Sequence, residues 1–234
     1  MLEISKLNAW YGASHALQDV SIEVAQGEIV CLIGRNGAGK TTTLKSIMGL
    51  MDRTRGSVSF KGRELLGGPA HMRFAMGLAY VPEERRIVQG LSVRENLRLG
   101  LVASPEKKRE SELIDGIAKI FPRLAERLDQ EAVTMSGGEQ QMLAIARAMI
   151  AKPDLIMLDE PSEGIMPVLV DEMFELFRAM KAEGTTVLLV EQNVVLALDI
   201  ADRAYVMDQG EVVHQASAQA LLSDSDIKER YCSV

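Results

Sequence analysis

Cysteine is nearly absent from this 234-residue chain, which has two, Cys31 and Cys232. So distant a pair supplies neither a disulfide framework nor metal-ligand spacing, and a reducing compartment fits. Aromatic residues are few, 4% of the chain with a single tryptophan. Basic residues are outnumbered, 26 Lys and Arg against 33 Asp and Glu, for a net charge of −7. That balance argues against a nucleic-acid partner held by bulk electrostatics. The one tight basic run, Lys107-Lys108-Arg109, reads as a solvated helix face. No apolar run approaches the ~20 residues a membrane helix needs, so any membrane role is expected through a partner. The start, Met1-Leu2-Glu3-Ile4, has no charged leader and no apolar core, and no signal peptide is expected. His15, His71 and His214 are scattered without ligand spacing and read as structural or surface residues.

What is present is an ordinary globular composition, 47% hydrophobic and 25% charged. The length suits one large domain or two tightly joined lobes. Leu2–Leu7, Val20–Val24, Ile29–Ile33, Val58–Phe60 and Leu78–Val81 read as strands, with Ser14–Leu17 ambiguous. A helix is expected from Thr42 to Leu50, and another starting near Pro105. Ile114, Ile117, Ala118, Phe121, Leu124 and Leu128 make a helical apolar stripe that Pro122 should break or kink. A helix after Gly138 should run to about Ala151, with Met142, Ala146, Met149 and Ile150 inward. The remainder alternates: strand Leu155–Leu158, helix Val168–Ala182, strand Thr186–Val190, helix Val194–Ile200, then a hairpin, Ala204–Met207 and Glu211–His214, about Gln209-Gly210. The tail Ala218–Tyr231 reads as a polar helical region. Such alternation implies an α/β fold with a mainly parallel sheet.

Gly34-Arg35-Asn36-Gly37-Ala38-Gly39-Lys40-Thr41 fits G-x-x-x-x-G-K-[ST], the loop that wraps nucleotide phosphates. It lies between the apolar strand Ile29–Ile33 and the helix at Thr42, as the mechanism requires. Glycines let backbone N–H groups face phosphate oxygens, and the helix N-terminus adds positive potential there. Lys40 is placed to reach the β- and γ-phosphates of ATP, and Thr41 to hold Mg²⁺ through its hydroxyl. Downstream, the apolar strand ends in Asp159-Glu160. Asp159 is placed to bind Mg²⁺ and Glu160 to orient or activate the attacking water.

Met135-Ser136-Gly137-Gly138-Glu139-Gln140-Gln141 lies between these two motifs and opens a helix containing Ala144-Ile145-Ala146-Arg147-Ala148. That fixed order resembles the ATP-binding cassette family over nearly the whole chain, Leu2 to about Gln215. The resemblance implies a single P-loop ATPase domain over 1–234. Residues 1–90 and 152–215 would form a nucleotide-binding core with an N-terminal antiparallel β lobe. Residues 91–151 would form an inserted helical subdomain and 216–234 a helical tail. It also implies a head-to-tail pair of cassettes, in which Ser136, Gly137 and Gly138 touch the γ-phosphate held by the partner chain. Tyr11 matches the family's adenine-stacking aromatic, with Trp10 as the alternative. Gly34 through Thr42 line the phosphates.

Three positions depart from the family pattern. Glu83 stands where most cassettes carry a glutamine that senses Mg²⁺, Gln192 where a histidine usually contacts the γ-phosphate, and Met166 where a loop aspartate is usual. An amide can donate a hydrogen bond but cannot become a cation. Hydrolysis is still expected because Glu160 is intact.

The strings Val-Pro-Glu, Met-Ser-Gly-Gly-Glu-Gln-Gln-Met-Leu-Ala, Glu-Pro-Ser-Glu-Gly and Val-Glu-Gln-Asn resemble one of the two ATPase subunits of branched-chain amino-acid importers. The resemblance implies a second, different ATPase subunit, two membrane permeases, and indirectly a periplasmic binding protein. The place implied is the cytoplasmic face of a bacterial inner membrane. Glu83–Leu99 would lie beside the permease. Related systems for urea, amides, small carboxylates or lipids are the alternative, followed by a soluble ATP switch without a permease.

Overall fold

Buried and exposed residues alternate at the start of the chain in the computed structural model, which describes residues 1–102, 104 and 108–223. β1 (Leu2–Tyr11) and β2 (Ser14–Val24) form an antiparallel hairpin whose Leu2, Ile4, Leu7 and Ala9 point inward. One face covers the core and the other meets water, which is why the pattern has a period of two. Both strands are longer than apolar alternation predicted. Their far halves are held by cross-strand pairs, Trp10 with His15 and Tyr11 with Ser14, which hydrophobic pattern does not register.

After β3 (Ile29–Ile33) comes α1 (Lys40–Ile47), then β4 (Arg53–Phe60) and β5 (Arg63–Glu64), which complete a four-stranded sheet of order β2-β1-β4-β5. The first helix begins two residues earlier than expected and stops at Ile47, because Gly49 takes a left-handed φ of 70° that closes it. Next are α2 (Met72–Ala75), β6 (Leu78–Val81), α3 (Val93–Leu99), α4 (Glu110–Ile120), α5 (Pro122–Ala125) and α6 (Gly137–Met149). Pro122 does break the apolar stripe: it is the first residue of α5, where its missing N–H costs no helix bond. The chain continues through β7 (Leu155–Asp159), α7 (Pro167–Ala182), β8 (Thr186–Val190), α8 (Val194–Ile200), β9 (Arg203–Asp208), β10 (Glu211–Ser217) and α9 (Ala218–Ser223). The expected start near Pro105, Lys107 of the basic run, the tail beyond Ser223 and Cys232 lie outside the described residues.

The second sheet has six strands in the order β10-β9-β3-β8-β7-β6, all parallel except β10. Its central strands β3, β8 and β7 are covered on both faces and read as unbroken apolar runs, whereas the edge strand β10 is mostly exposed. Ile29, Cys31 and Ile33 face the helices, whereas Val30 and Leu32 face α1 and the antiparallel sheet. The apolar cluster on the helical face is continuous from β3 and β7 into Val93, Ile114, Ile117 and Leu143. The α3–α6 region therefore packs on the same side as α7 and α8. α6 is buried more widely than its expected stripe: Leu143, Ala144 and Ile145 are inside, while Met142 and Met149 are only partly covered. Helices flank it on several sides, which a single-face pattern cannot anticipate. Cys31 is fully buried with its thiol toward the Ala197 carbonyl, 3.5 Å away, and burial pushes its pKa up, keeping it protonated.

Candidate active site

The turn from β3 into α1 depends on glycine at two points. Gly34 has φ 150°, and a Cβ there would lie 2.2 Å from the Met207 carbonyl oxygen. Gly39 has φ 105°, and a Cβ there would lie 2.7 Å from Leu17 Cδ2. Between them Arg35, Asn36 and Gly37 are exposed and Ala38 is buried. Gly39 caps α1 without any side-chain hydrogen bond, and the first turn holds no acidic residue. The leading N–H groups of α1 and its dipole therefore favour an anion.

Lys40 is only 4% exposed. Its ammonium donates to the Gly34 and Arg35 carbonyls at 2.8 and 3.2 Å and lies 3.4 Å from Glu160 Oε1. Parallel pairing of β3, β8 and β7 brings the loop beside the carboxylates at the end of β7. Thr41 Oγ1 donates to Asp159 Oδ1 at 2.9 Å, and Tyr80 OH donates to Asp159 Oδ2 at 2.9 Å. Glu160 sits at φ 46° and accepts from Gln192 Nε2 at 2.5 Å. Such a non-glycine conformation is strained and is fixed here by the Glu160 N–H bond to Val190 O, 2.9 Å.

Burial raises the pKa of Asp159 although Thr41 and Tyr80 both bond to its carboxylate. Exposed Glu83 is raised as well, by desolvation first and then by Glu160, Asp159, Glu84 and Glu163. The expected residues thus share one carboxylate-rich field. Among the described residues no group of three or more His, Cys, Asp or Glu side chains could hold a metal ion. Thr41 and Asp159 supply two hard oxygen donors. That set suits a cation which takes its remaining ligands from water and phosphate.

Tyr11 is 52% exposed at the end of β1, its hydroxyl 3.5 Å from Thr42 Oγ1. Trp10, the alternative, is already engaged: His15 stacks on it with centroids 4.5 Å apart, and the Arg53 guanidinium lies 4.5 Å from its ring. The structure thus gathers Tyr11, Thr42, the loop, Asp159, Glu160 and Gln192. Ser136, Gly137 and Gly138 sit elsewhere, at the start of α6 with Glu139, Arg85 and Leu169. Among the described residues no hydrogen bond joins them to Gly34–Thr41.

Two residues escaped the sequence reading. Tyr80 holds the second oxygen of Asp159. Glu191 is 1% exposed and accepts from the backbone N–H groups of Ser162 and Gln192 at 3.0 and 3.1 Å. It braces the segment that carries Gln192 against the loop after Glu160. A carboxylate directly after an apolar strand was the available signal for Glu191. Nothing in the sequence marked Tyr80, whose role arises from β6 lying beside β7.

Comparison with known proteins identifies the family and the fold. Residues 17–163 match a family model described as ABC transporter. The chain is 45% identical over 231 residues to the high-affinity branched-chain amino acid transport ATP-binding protein BraG of Pseudomonas aeruginosa, covering 99% of both chains. It is 37% identical over 233 residues to a probable branched-chain amino acid transport ATP-binding protein, LivF, of Archaeoglobus fulgidus, covering 99% of this chain and 98% of that one. A solved structure of an ATP-binding subunit of an ABC transporter superposes with a TM-score of 0.83 at 32% identity, covering 98% of this chain and 92% of that one.

Proposed function

The chain is an ATPase of the ABC transporter family, and from that premise we propose that it energises a membrane importer for branched-chain or related amino acids. The observation that carries the chemistry is the convergence of Thr41 on Asp159 and of Lys40 and Gln192 on Glu160. The substrate class rests on the similarity to BraG.

Asp159 and Thr41 would hold Mg²⁺, and Tyr11 would stack on the adenine. When bound, Mg²⁺ supplies neutralisation of charge on the phosphate oxygens. Lys40 leaves its carbonyl partners and Glu160 for the β- and γ-phosphates. Glu160, released from Lys40 but still held by Gln192, orients the water for in-line attack. Since Gln192 cannot carry positive charge, the developing charge falls to Lys40 and to donors from a second cassette. Those donors are Ser136, Gly137 and Gly138 of the facing subunit in a head-to-tail pair, read here as a heterodimer. Exposed Glu83 lies within the carboxylate field and reports cation occupancy to the permease side.

No helix among the described residues is long and apolar enough to cross a membrane. The permeases therefore provide the membrane contact, and a periplasmic binding protein delivers substrate. The test is reconstitution with neighbouring permease and binding-protein genes in proteoliposomes. ATP-dependent uptake of branched-chain amino acids, lost on Glu160→Gln, is the expected result. Uptake of urea or an amide, or export of a lipid, overturns the substrate assignment. A stable complex with ribosomes or DNA in place of permeases overturns the transporter assignment.

A further inference from the structure

The β1–β2 hairpin reaches the nucleotide site at two heights. Partway along β2, Gly210 of the β9–β10 turn donates its N–H to Ala38 O of the phosphate loop at 3.0 Å, and its carbonyl accepts from Gln18 N at 2.8 Å. A Cβ on Gly210 would lie 2.5 Å from Ala16 O, so this junction is closed tightly. At the hairpin's tip a layered stack is built on Trp10, the residue before Tyr11, whose side chain leaves the strand on the opposite face. The His15 and Trp10 rings are nearly parallel, 7° apart, and the Arg53 guanidinium of β4 caps the tryptophan. Trp10 is paired across the sheet with His15 on one side and Arg53 on the other. His15 Nε2 is further tied to Asn8 Oδ1 at 2.9 Å, and Asn8 Nδ2 donates to Asp19 Oδ1 at 2.8 Å.

Tyr11 itself has little to hold it. It is half exposed and followed by Gly12 at φ 57°; besides the backbone pairing with Ser14, its hydroxyl makes, among the described residues, one long contact to Thr42. A two-stranded ribbon tip with so little packing frays readily. Cross-strand aromatic and cation–π pairs are the interactions that fix such a tip.

We propose that Trp10, clamped between His15 and Arg53, is a positioning residue that fixes the Tyr11 ring as the platform for the base of the nucleotide. This rests on the reading of Tyr11 as the base-stacking residue. Trp10 acts on affinity for the base, while the phosphates are read by a loop that is anchored independently through Gly210.

Binding of Mg·ATP and of Mg·tripolyphosphate, which lacks a base, is measured by calorimetry on the full chain and on Trp10→Ala, Trp10→Phe, Tyr11→Ala and the double variant Trp10→Ala/Tyr11→Ala. Loss of a stacked base costs on the order of tenfold in affinity. Trp10→Ala should therefore weaken ATP binding about five- to tenfold and leave tripolyphosphate unchanged. Trp10→Phe should restore ATP binding, and the double variant should be no weaker than Tyr11→Ala, because the two residues act as one unit. Wild-type ATP affinity in Trp10→Ala alongside a weak Tyr11→Ala overturns the inference and leaves the Tyr11 reading standing. Unchanged ATP affinity in Tyr11→Ala overturns both. Equal weakening for ATP and tripolyphosphate marks general damage to the lobe and also overturns it. Should Trp10→Ala fail to fold, His15→Ala and Arg53→Ala, which leave the indole in place, carry the same comparison.

Discussion

Two glycine-containing segments open helices in this molecule, and they solve the same end problem in opposite ways. At α6, Ser136 and Glu139 form a reciprocal capping box: Ser136 Oγ accepts from Glu139 N, and Ser136 N donates to Glu139 Oε2. That helix satisfies two of its leading donors, those of Ser136 and Glu139, and carries an acid in its first turn. At α1, Gly39 offers no side-chain cap and the first turn holds no acid. Its polar groups are aimed at the neighbouring strand end instead, Thr41 at Asp159 and Lys40 at Glu160. The difference separates a helix start partly closed by its own side chains from one left open within the chain.

The comparison breaks most severely at Glu160. Glu160→Gln should lower the ATPase kcat by about 10²–10⁴-fold, the range for a lost general base, while ATP binding persists. A steady-state assay paired with nucleotide titration checks this, and a kcat within a factor of three of wild type would remove Glu160 from the chemistry.

Next in size is Gly34→Ala. Its side chain would meet the Met207 carbonyl at a φ that L residues avoid. The expected cost is about 1–3 kcal/mol of stability, with loss of ATP binding. Gly12→Ala also has positive φ but open space around its Cβ, and it should cost less. Denaturant melts of the two variants test the ranking.

Ser136→Ala comes third. Removing the cap should cost about 1 kcal/mol, or roughly 2–4 °C in Tm for a chain of this size. Affinity of the isolated chain for ATP should be unchanged. A weaker ATP affinity in the isolated chain would show that α6 contributes to the chain's own site.

The smallest effect is the pH response, in which the two segments should move oppositely. The Ser136 hydroxyl, more than the backbone bond and the nearby arginines, holds Glu139 below the usual carboxylate range. Its contribution is therefore present above the ordinary Glu pKa and lost as pH falls through the depressed value. Burial holds Asp159 above its ordinary value. Its contribution is present below the ordinary Asp pKa and lost as pH rises through the raised one. Acid should weaken the α6 cap and relieve the phosphate side. In thermal melts without nucleotide between pH 7 and 2, Glu139→Gln should remove the first trend and Asp159→Asn the second.

Much of the site was legible because its residues are local. Gly34–Thr41, Asp159-Glu160 and Ser136–Gly138 each declare themselves by spacing within a few residues. The departure at Gln192 was legible as an amide in place of a histidine, but its contact with Glu160 was not. The two lie 32 positions apart and meet only because β7 and β8 are neighbours. The full length of β1 and β2 was missed for a related reason. Polar and aromatic cross-strand partners hold their ends, and single-strand patterning does not contain them.

The sequence by itself determined that the chain alternates strands and helices, that a phosphate loop follows an apolar strand, and that acids end another. Those features depend on backbone freedom, helix ends and period-two or period-3.6 patterns, all expressed over short stretches. Only the tertiary structure decided that Tyr80 shares Asp159 with Thr41, that Lys40 and Gln192 hold one glutamate between them, and that Trp10 is engaged by both His15 and Arg53. The contacts of Tyr80, Thr41, Lys40 and Gln192 join elements far apart along the chain, and Trp10 meets Arg53 because β1 lies beside β4. Which side chains meet was therefore set by strand order and register, and those follow from the packing of the whole domain.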